Sequence, residues 1–190
     1  KIVVELPTYL GALQAWDAYG AEYITIPMDQ HGMRTDLLED ALKQGPKFIY
    51  ALPSFQNPSG VTMPLERRQQ LVELADRYSV PIVEDDPYGK LRYTGENIPP
   101  ILVVDQQYRQ MSGDEYNGNV IYLSTFSKLL APGIRLAWVI ADKVVIAKMV
   151  QAKQGADLHT STFNQMVAYE VARDGFIDEH NKVIRKTYGE

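Results

Sequence analysis

Apolar residues are concentrated in short continuous runs along most of the chain. Such runs, rich in Val and Ile, are typical of parallel strands that are buried on both faces of a sheet. We therefore predict strands over residues 1–6, 22–27, 47–52, 80–85, 119–124 and 135–141.

The segments between these strands have the periodicity of amphipathic helices. Helices are predicted over residues 11–20, 34–44 and 64–79, and a later helical stretch runs from Asp142 to residue 173 with a break around Gly155. Alternating strands and helices predict an α/β fold, a three-layer αβα arrangement around a mostly parallel sheet. The polar segment 94–119 carries no predicted element, and the charged run "ERRQQ" is predicted to be a solvated helix face.

Polar and glycine-rich stretches follow four of the predicted strands. They read "PTYLG" after the first strand, "PSFQNPSG" after the third, "EDDPYG" after the fourth and "STFSK" at the end of the fifth. In open α/β sheets, ligands bind beyond the carboxyl ends of the strands. We therefore expect these four stretches to meet at one edge of the sheet and to form one site.

Bulk properties exclude several classes of function. The 190 residues carry a net charge of −5, which argues against a general nucleic-acid-binding surface. The absence of cysteine excludes thiolate metal sites and is compatible with a cytoplasmic location. Three widely separated histidines predict no metal site, and no apolar run approaches the ~20 residues that span a bilayer.

Two side chains at strand ends suggest chemistry. Asp85 ends an apolar run, where a carboxylate needs a cation or strong hydrogen-bond donors, although a helix cap or a turn is an equally good interpretation. Lys128 leaves a predicted strand between Phe126 and Leu129, so desolvation would suit it as a Schiff-base nucleophile. The alternative for Lys128 is a surface lysine with a buried stem.

The other candidates have ordinary explanations when each is taken alone. Asn57 lies in "NPSG", which is typical of a turn, and Tyr9 could simply cover the end of the sheet. Arg135 could form a salt bridge at the start of the last strand. Their coincidence at neighbouring strand ends favours a site.

The complete set resembles the pyridoxal-phosphate (PLP) aminotransferases of classes I and II, fold type I. The resemblance covers essentially the whole chain and is greatest to the branch of 2-aminoadipate, kynurenine and broad-specificity aminotransferases. It rests on Asn57 in "NPSG", Asp85 and Tyr88 in "EDDPYG", and Lys128 with Arg135 in "STFSKLLAPGIR".

The resemblance implies a role for each residue. Lys128 would bond the cofactor's aldehyde carbon and shuttle a proton, and Asp85 would pair with the pyridine nitrogen. Asn57 and Tyr88 would hydrogen-bond the phenolic oxygen, which leaves Lys128, Asp85 and Tyr88 as the catalytic residues. The remaining cofactor contacts would be phosphate binding by Arg135, Thr125 and Ser127, and ring stacking by Tyr9.

Family members begin earlier and continue further than this chain. The resemblance therefore implies that residues 1–175 are a PLP-binding large domain without its N-terminal part, and that residues 176–190 begin the connection to a small domain. The full-length protein is expected to be a cytoplasmic homodimer that moves an amino group between an amino acid and a 2-oxo acid, the fragment alone being inactive. Two alternatives remain: an effector-sensing domain of a MocR-type transcription regulator, and a PLP-dependent lyase or synthase.

Overall fold

The computed structural model describes residues 1–113 and 115–189. Its strands form one seven-stranded sheet. The strands are β1 (Ile2–Leu6), β2 (Tyr23–Asp29), β3 (Gly32–Met33), β4 (Ile49–Ala51), β5 (Ile82–Asp85), β6 (Val120–Thr125) and β7 (Ala137–Ile140). The helices are α1 (Leu10–Asp17), α2 (Leu38–Leu42), α3 (Leu65–Arg77), α4 (Ile101–Tyr108), α5 (Phe126–Leu129), α6 (Lys143–Ala156), α7 (Thr162–Ala172) and α8 (Phe176–Tyr188).

The strands are arranged in the order β3-β2-β1-β4-β5-β6-β7. The five central strands are parallel to one another, whereas β3 and β7 pair antiparallel at the two edges. The prediction of a mostly parallel sheet is therefore confirmed. Four of these strands, β1, β4, β5 and β6, are direct neighbours, so their carboxyl ends lie side by side.

Helices cover both faces of the sheet, which confirms the three-layer α/β prediction. On one face, α2, α3 and α4 contribute buried side chains to a cluster that includes Val3, Ile49 and Ile82. On the other face, Trp16 of α1 packs with Tyr50 of β4. Burial of both faces explains why the central strands read as continuous apolar runs.

The prediction that the charged run in α3 is a solvated face is wrong for Arg68, which is fully buried. Its guanidinium donates to the carbonyl oxygens of Met63, Pro53 and Pro99. These acceptors lie before α3 and in two distant loops, so sequence periodicity could not indicate them. Arg68 thereby fixes the polar segment that follows β4, since it binds carbonyl oxygens on both sides of it, those of Pro53 and Met63.

The polar segment 94–119 contains the helix α4, which pattern analysis did not predict. Its first amides, those of Ile101 and Leu102, donate to the carboxylate of Glu84 at 2.8 and 2.9 Å. Glu84 lies on β5, so this helix N-terminus is satisfied by a residue remote in sequence. The last predicted helical stretch also divides into α6 and α7, and α8 begins after Gly175, where φ is +78°.

Candidate active site

A cavity of about 400 Å³ lies at the carboxyl ends of the four neighbouring strands. This volume is within the range of about 300 to 1,000 Å³ typical of small-molecule sites. Its lining includes all eight residues that the sequence indicated, together with Leu52, Pro87 and Pro132. The eight are Tyr9, Asn57, Asp85, Tyr88, Thr125, Ser127, Lys128 and Arg135.

Asp85 is the last residue of β5 and is the acidic group of this cavity. Burial raises the pKa of its carboxyl, whereas a hydrogen bond from Tyr50 lowers it. The Tyr50 hydroxyl donates to Asp85 Oδ2 at 2.6 Å. The carboxylate is therefore held by a donor from the neighbouring strand, and the interpretation of Asp85 as a simple helix cap is not supported.

Lys128 is exposed at the cavity, with its Nζ 5.8 Å from the centroid of the Tyr88 ring. The expected desolvation by its apolar neighbours is wrong, because those side chains turn elsewhere. Phe126 packs edge-on against Trp138, with 4.9 Å between ring centroids, and Leu129 is buried. Since α5 is a single helical turn, consecutive residues point in different directions, and Lys128 together with Ser127 lines the cavity.

Arg135 lies seven residues beyond Lys128 and lines the same cavity. The chain turns back there through a 3-10 helix, Pro132–Ile134, and Arg135 itself has φ of 52°. Its guanidinium donates to the Pro132 carbonyl at 2.9 Å and lies 3.5 Å from Ser127 Oγ. Within the described part of the chain it forms no ion pair, so the salt-bridge alternative is not supported.

Thr125 stabilises the loop that carries Lys128. Its hydroxyl accepts a hydrogen bond from the Ser127 amide at 3.0 Å and donates to the Leu136 carbonyl at 3.0 Å. The first bond caps the N-terminus of α5. The second joins Thr125 to Leu136, the residues at the two ends of the segment in which the chain turns back. The donor of Thr125 is thus already used, so Ser127 is the better placed hydroxyl for a bound anion.

Two buried residues that sequence reasoning missed connect the loops bearing Tyr9 and Asn57. The side-chain amide of Gln56 donates to the Pro7 carbonyl at 2.8 Å and lies 3.3 Å from Glu5 Oε2. The Gln56 side-chain oxygen accepts two hydrogen bonds from Ser59. Gln56 therefore ties the segment before Tyr9 to the turn that contains Asn57.

Glu5 is 1% exposed beneath this bridge. Burial is the main cause that raises its pKa to about 8, and hydrogen bonds from the Leu52 amide and from Gln56 act in the opposite direction. Its Oε1 has no partner among the described residues, which fits a neutral carboxyl near pH 7. A charged residue inside the apolar run "IVVEL" was the available sequence signal.

Residues 1–113 and 115–189 contain neither a metal-binding cluster nor a membrane-spanning helix. No group of three or more potential ligand side chains could hold a metal ion. No helix in this part of the protein has both the length and the apolar character needed to cross a membrane.

A family model described as "Aminotransferase class I and II" matches residues 1–189. The chain belongs to the class I and II aminotransferases. The aromatic-amino-acid aminotransferase 1 of Thermococcus litoralis is 48% identical over an alignment of 193 positions, which covers 98% of this chain and 44% of that protein. An uncharacterized transcriptional regulator of the helix-turn-helix type from Bacillus subtilis is 32% identical over 186 residues, covering 97% and 36% of the two proteins.

A solved structure of this class is also similar. The crystal structure of Pyrococcus horikoshii kynurenine aminotransferase, in complex with PMP, superposes with a TM-score of 0.90 at 47% identity. The similarity covers 98% of this aminotransferase-family chain and 45% of the other. The predicted family, branch and fold are thus confirmed, and the chain spans less than half the length of these relatives.

Proposed function

We propose that this chain is the cofactor-binding part of a PLP-dependent aminotransferase. The observation that carries this proposal is the meeting of Lys128, Asp85 and Arg135 in one cavity, with Asn57 and Tyr88 also in its lining. The end of β5 and the segment that follows β6 supply an amine, a carboxylate and a guanidinium to one small volume. PLP has a matching aldehyde, ring nitrogen and phosphate.

The donor set in the cavity fits this cofactor. Asp85 is a half-buried carboxyl that a protonated ring nitrogen would satisfy, since burial alone disfavours its charge. Arg135 and the Ser127 hydroxyl lie within 3.5 Å of each other and can donate to one phosphate. The exposed amine of Lys128 is accessible for a covalent bond to the aldehyde carbon.

When bound, PLP would supply an electron sink for the carbanion formed at the substrate Cα. The chain's own residues would set up that chemistry. Lys128 would hold the cofactor, and its released amine would remove a proton from the substrate Cα. Asp85 would keep the ring nitrogen protonated, Asn57 and Tyr88 would donate to the phenolic oxygen, and Tyr9 would cover one ring face.

Family membership supports a more detailed proposal for the full-length protein. We propose that the full-length protein transfers an amino group between an amino acid and a 2-oxo acid, and that it does so as a cytoplasmic homodimer. Residues 1–175 would form the large domain, and residues 176–190 would lead to a small domain. We propose no direct binding of nucleic acid or of a membrane by this segment.

The decisive experiment uses the full-length protein with PLP. A visible absorbance band should form, borohydride should bleach it, and peptide mapping should place the reduced cofactor on Lys128. An amino-donor screen should then show transamination. Attachment to another lysine would contradict the site, and attachment to Lys128 without transamination would contradict the activity.

The regulator alternative has a specific observation in its favour, the 32% identity to a regulator of the helix-turn-helix type. It uses the same cofactor residues for sensing, so the cavity does not separate the two functions. The aromatic aminotransferase is more similar, at 48% identity, and supports the enzyme. Operator-like DNA binding by the full-length protein that responds to PLP, without turnover, would instead support the regulator. In the lyase or synthase alternative, the donor screen would yield a cleaved or replaced side chain.

A further inference from the structure

Tyr50 and Asp85 lie on the neighbouring parallel strands β4 and β5, and their side chains contact each other on one face of the sheet. In the register of β4 and β5, Tyr50 is opposite Val83. Side chains alternate along a strand, so Asp85, two positions beyond Val83, lies on the same face as Tyr50. This diagonal separation is within reach of an aromatic side chain, and the Tyr50 hydroxyl is 2.6 Å from Asp85 Oδ2.

The Tyr50 ring is held in place by packing. The residue is 2% exposed and belongs to a buried cluster with Ile2, Val4 and Leu52. The Trp16 ring of α1 contacts it edge-on, with 4.9 Å between centroids and an interplanar angle of 83°. A ring enclosed on these sides presents its hydroxyl to Asp85 from a fixed direction.

The hydroxyl acts as a donor. Burial, followed by the negative charge of Asp85, raises the pKa of Tyr50, so its proton is retained over the ordinary pH range. The carboxyl of Asp85 receives no other side-chain hydrogen bond from the described residues. Oδ1 is therefore the oxygen that remains available to the cavity that Asp85 lines.

Resting on the proposed function, we propose that Tyr50 is a positioning residue that acts on the ring nitrogen of PLP through Asp85. Its donation to Oδ2 fixes the carboxylate with Oδ1 toward the cavity. The same donation withdraws charge from the carboxylate and makes it less basic, so the shared proton stays on the ring nitrogen. Tyr50 itself does not line the cavity.

The test uses full-length protein loaded with PLP that is labelled with nitrogen-15 at the ring. Tyr50→Phe keeps the packed ring and removes only the hydroxyl. The nitrogen resonance should move from the protonated position toward the neutral one, because the more basic carboxylate attracts the proton. We also expect kcat/KM to fall about tenfold, as the loss of one hydrogen bond to a charged group predicts.

A matched control is Tyr78→Phe, since the Tyr78 hydroxyl also donates to a carboxylate, that of Glu39, at 2.7 Å but outside the cavity. This control should leave the resonance unchanged. A fluorinated tyrosine at position 50 keeps the shape and donates more strongly, so it should keep the proton on nitrogen to higher pH. That substitution still tests the proposal if Tyr50→Phe fails to fold.

The two proposals fail in different ways. If PLP does not attach to Lys128, the proposed function is contradicted. If it attaches normally but the resonance of folded Tyr50→Phe is unchanged, or the fluorinated variant shifts toward the neutral position, only the role of Tyr50 is overturned. In an Asp85→Asn background, Tyr50→Phe should have no further effect on the resonance.

Discussion

The side-chain amide of Gln56 donates to the carbonyl oxygen of Pro7 at 2.8 Å, which joins the loops that follow the parallel strands β1 and β4. Pro7 lies two residues before Tyr9, and Gln56 lies directly before Asn57. The relative placement of these two cavity residues therefore depends on a side chain that does not line the cavity itself.

Replacing Gln56 should damage both the fold and the site. Gln56→Leu leaves the Pro7 carbonyl and the Ser59 donors without their partner, at a cost of about 2 to 3 kcal/mol in the free energy of unfolding. We also expect weaker PLP binding. Denaturant melts and PLP titration of the full-length protein measure the two effects. Gln69→Leu, on the outer surface of α3, is the matched control. Unchanged PLP affinity in Gln56→Leu would contradict the coupling of the two loops.

The position of the Tyr9 ring depends on Gly11. A Cβ atom at position 11 would lie 2.5 Å from the Tyr9 hydroxyl oxygen, so Gly11→Ala must displace the ring. If Tyr9 stacks on the cofactor, PLP affinity should fall several-fold while thermal stability changes little, because the ring is at the exposed end of its side chain. Gly155→Ala in α6 has open space around the new methyl group and should not alter affinity. Equal PLP affinity in the two variants would argue against stacking by Tyr9.

Asp85→Ala tests the role of the carboxylate. We expect nearly complete loss of transamination with only moderately weaker PLP binding, since Lys128 and Arg135 still hold the cofactor at two other points. Steady-state kinetics and PLP titration separate the two quantities. Asp86→Asn is a neighbouring control, because Asp86 is hydrogen-bonded to Gly89 and Tyr122 and does not line this cavity. Turnover near the wild-type rate in Asp85→Ala would rule out the proposed pairing with the ring nitrogen.

Glu5 should make stability depend on pH. Its folded pKa of about 8 is above the ordinary value of 4.5, so between these values the folded protein holds a proton that the unfolded chain releases. Stability therefore falls as pH rises through this window, by about 1.4 kcal/mol per pH unit for one group. Glu84, with a pKa raised by burial to about 7, adds to the fall over the lower part of the window.

The variant Glu5→Gln mimics the neutral carboxyl and should reduce this decline without removing the part due to Glu84. Melting temperatures of the full-length protein from pH 5 to pH 9 provide the measurement, with exposed Glu22→Gln as the control. The variant and the wild type should be similar at low pH, and the variant should be the more stable at high pH. Parallel curves across the range would show that Glu5 does not retain its proton.

The local sequence determined the identity of the strands and the grouping of the site. Continuous apolar runs can be buried on both faces only in a covered, mostly parallel sheet, and parallel strands bring their carboxyl ends to one edge. For that reason the sequence predicts that Asn57, Asp85 and Lys128, far apart along the chain, belong to one site, and all three line the cavity.

The tertiary structure decided the contacts that depend on pairs of remote residues. Periodicity describes one segment at a time, so it could not reveal that Glu84 caps α4, that buried Arg68 binds three carbonyl oxygens, or that Phe126 and Leu129 turn away from Lys128. The same holds for Tyr50, which lies within the predicted strand 47–52. Only strand register and packing against Trp16 place its hydroxyl on Asp85, because hydrogen bonds require atomic positions that the residue pattern does not contain.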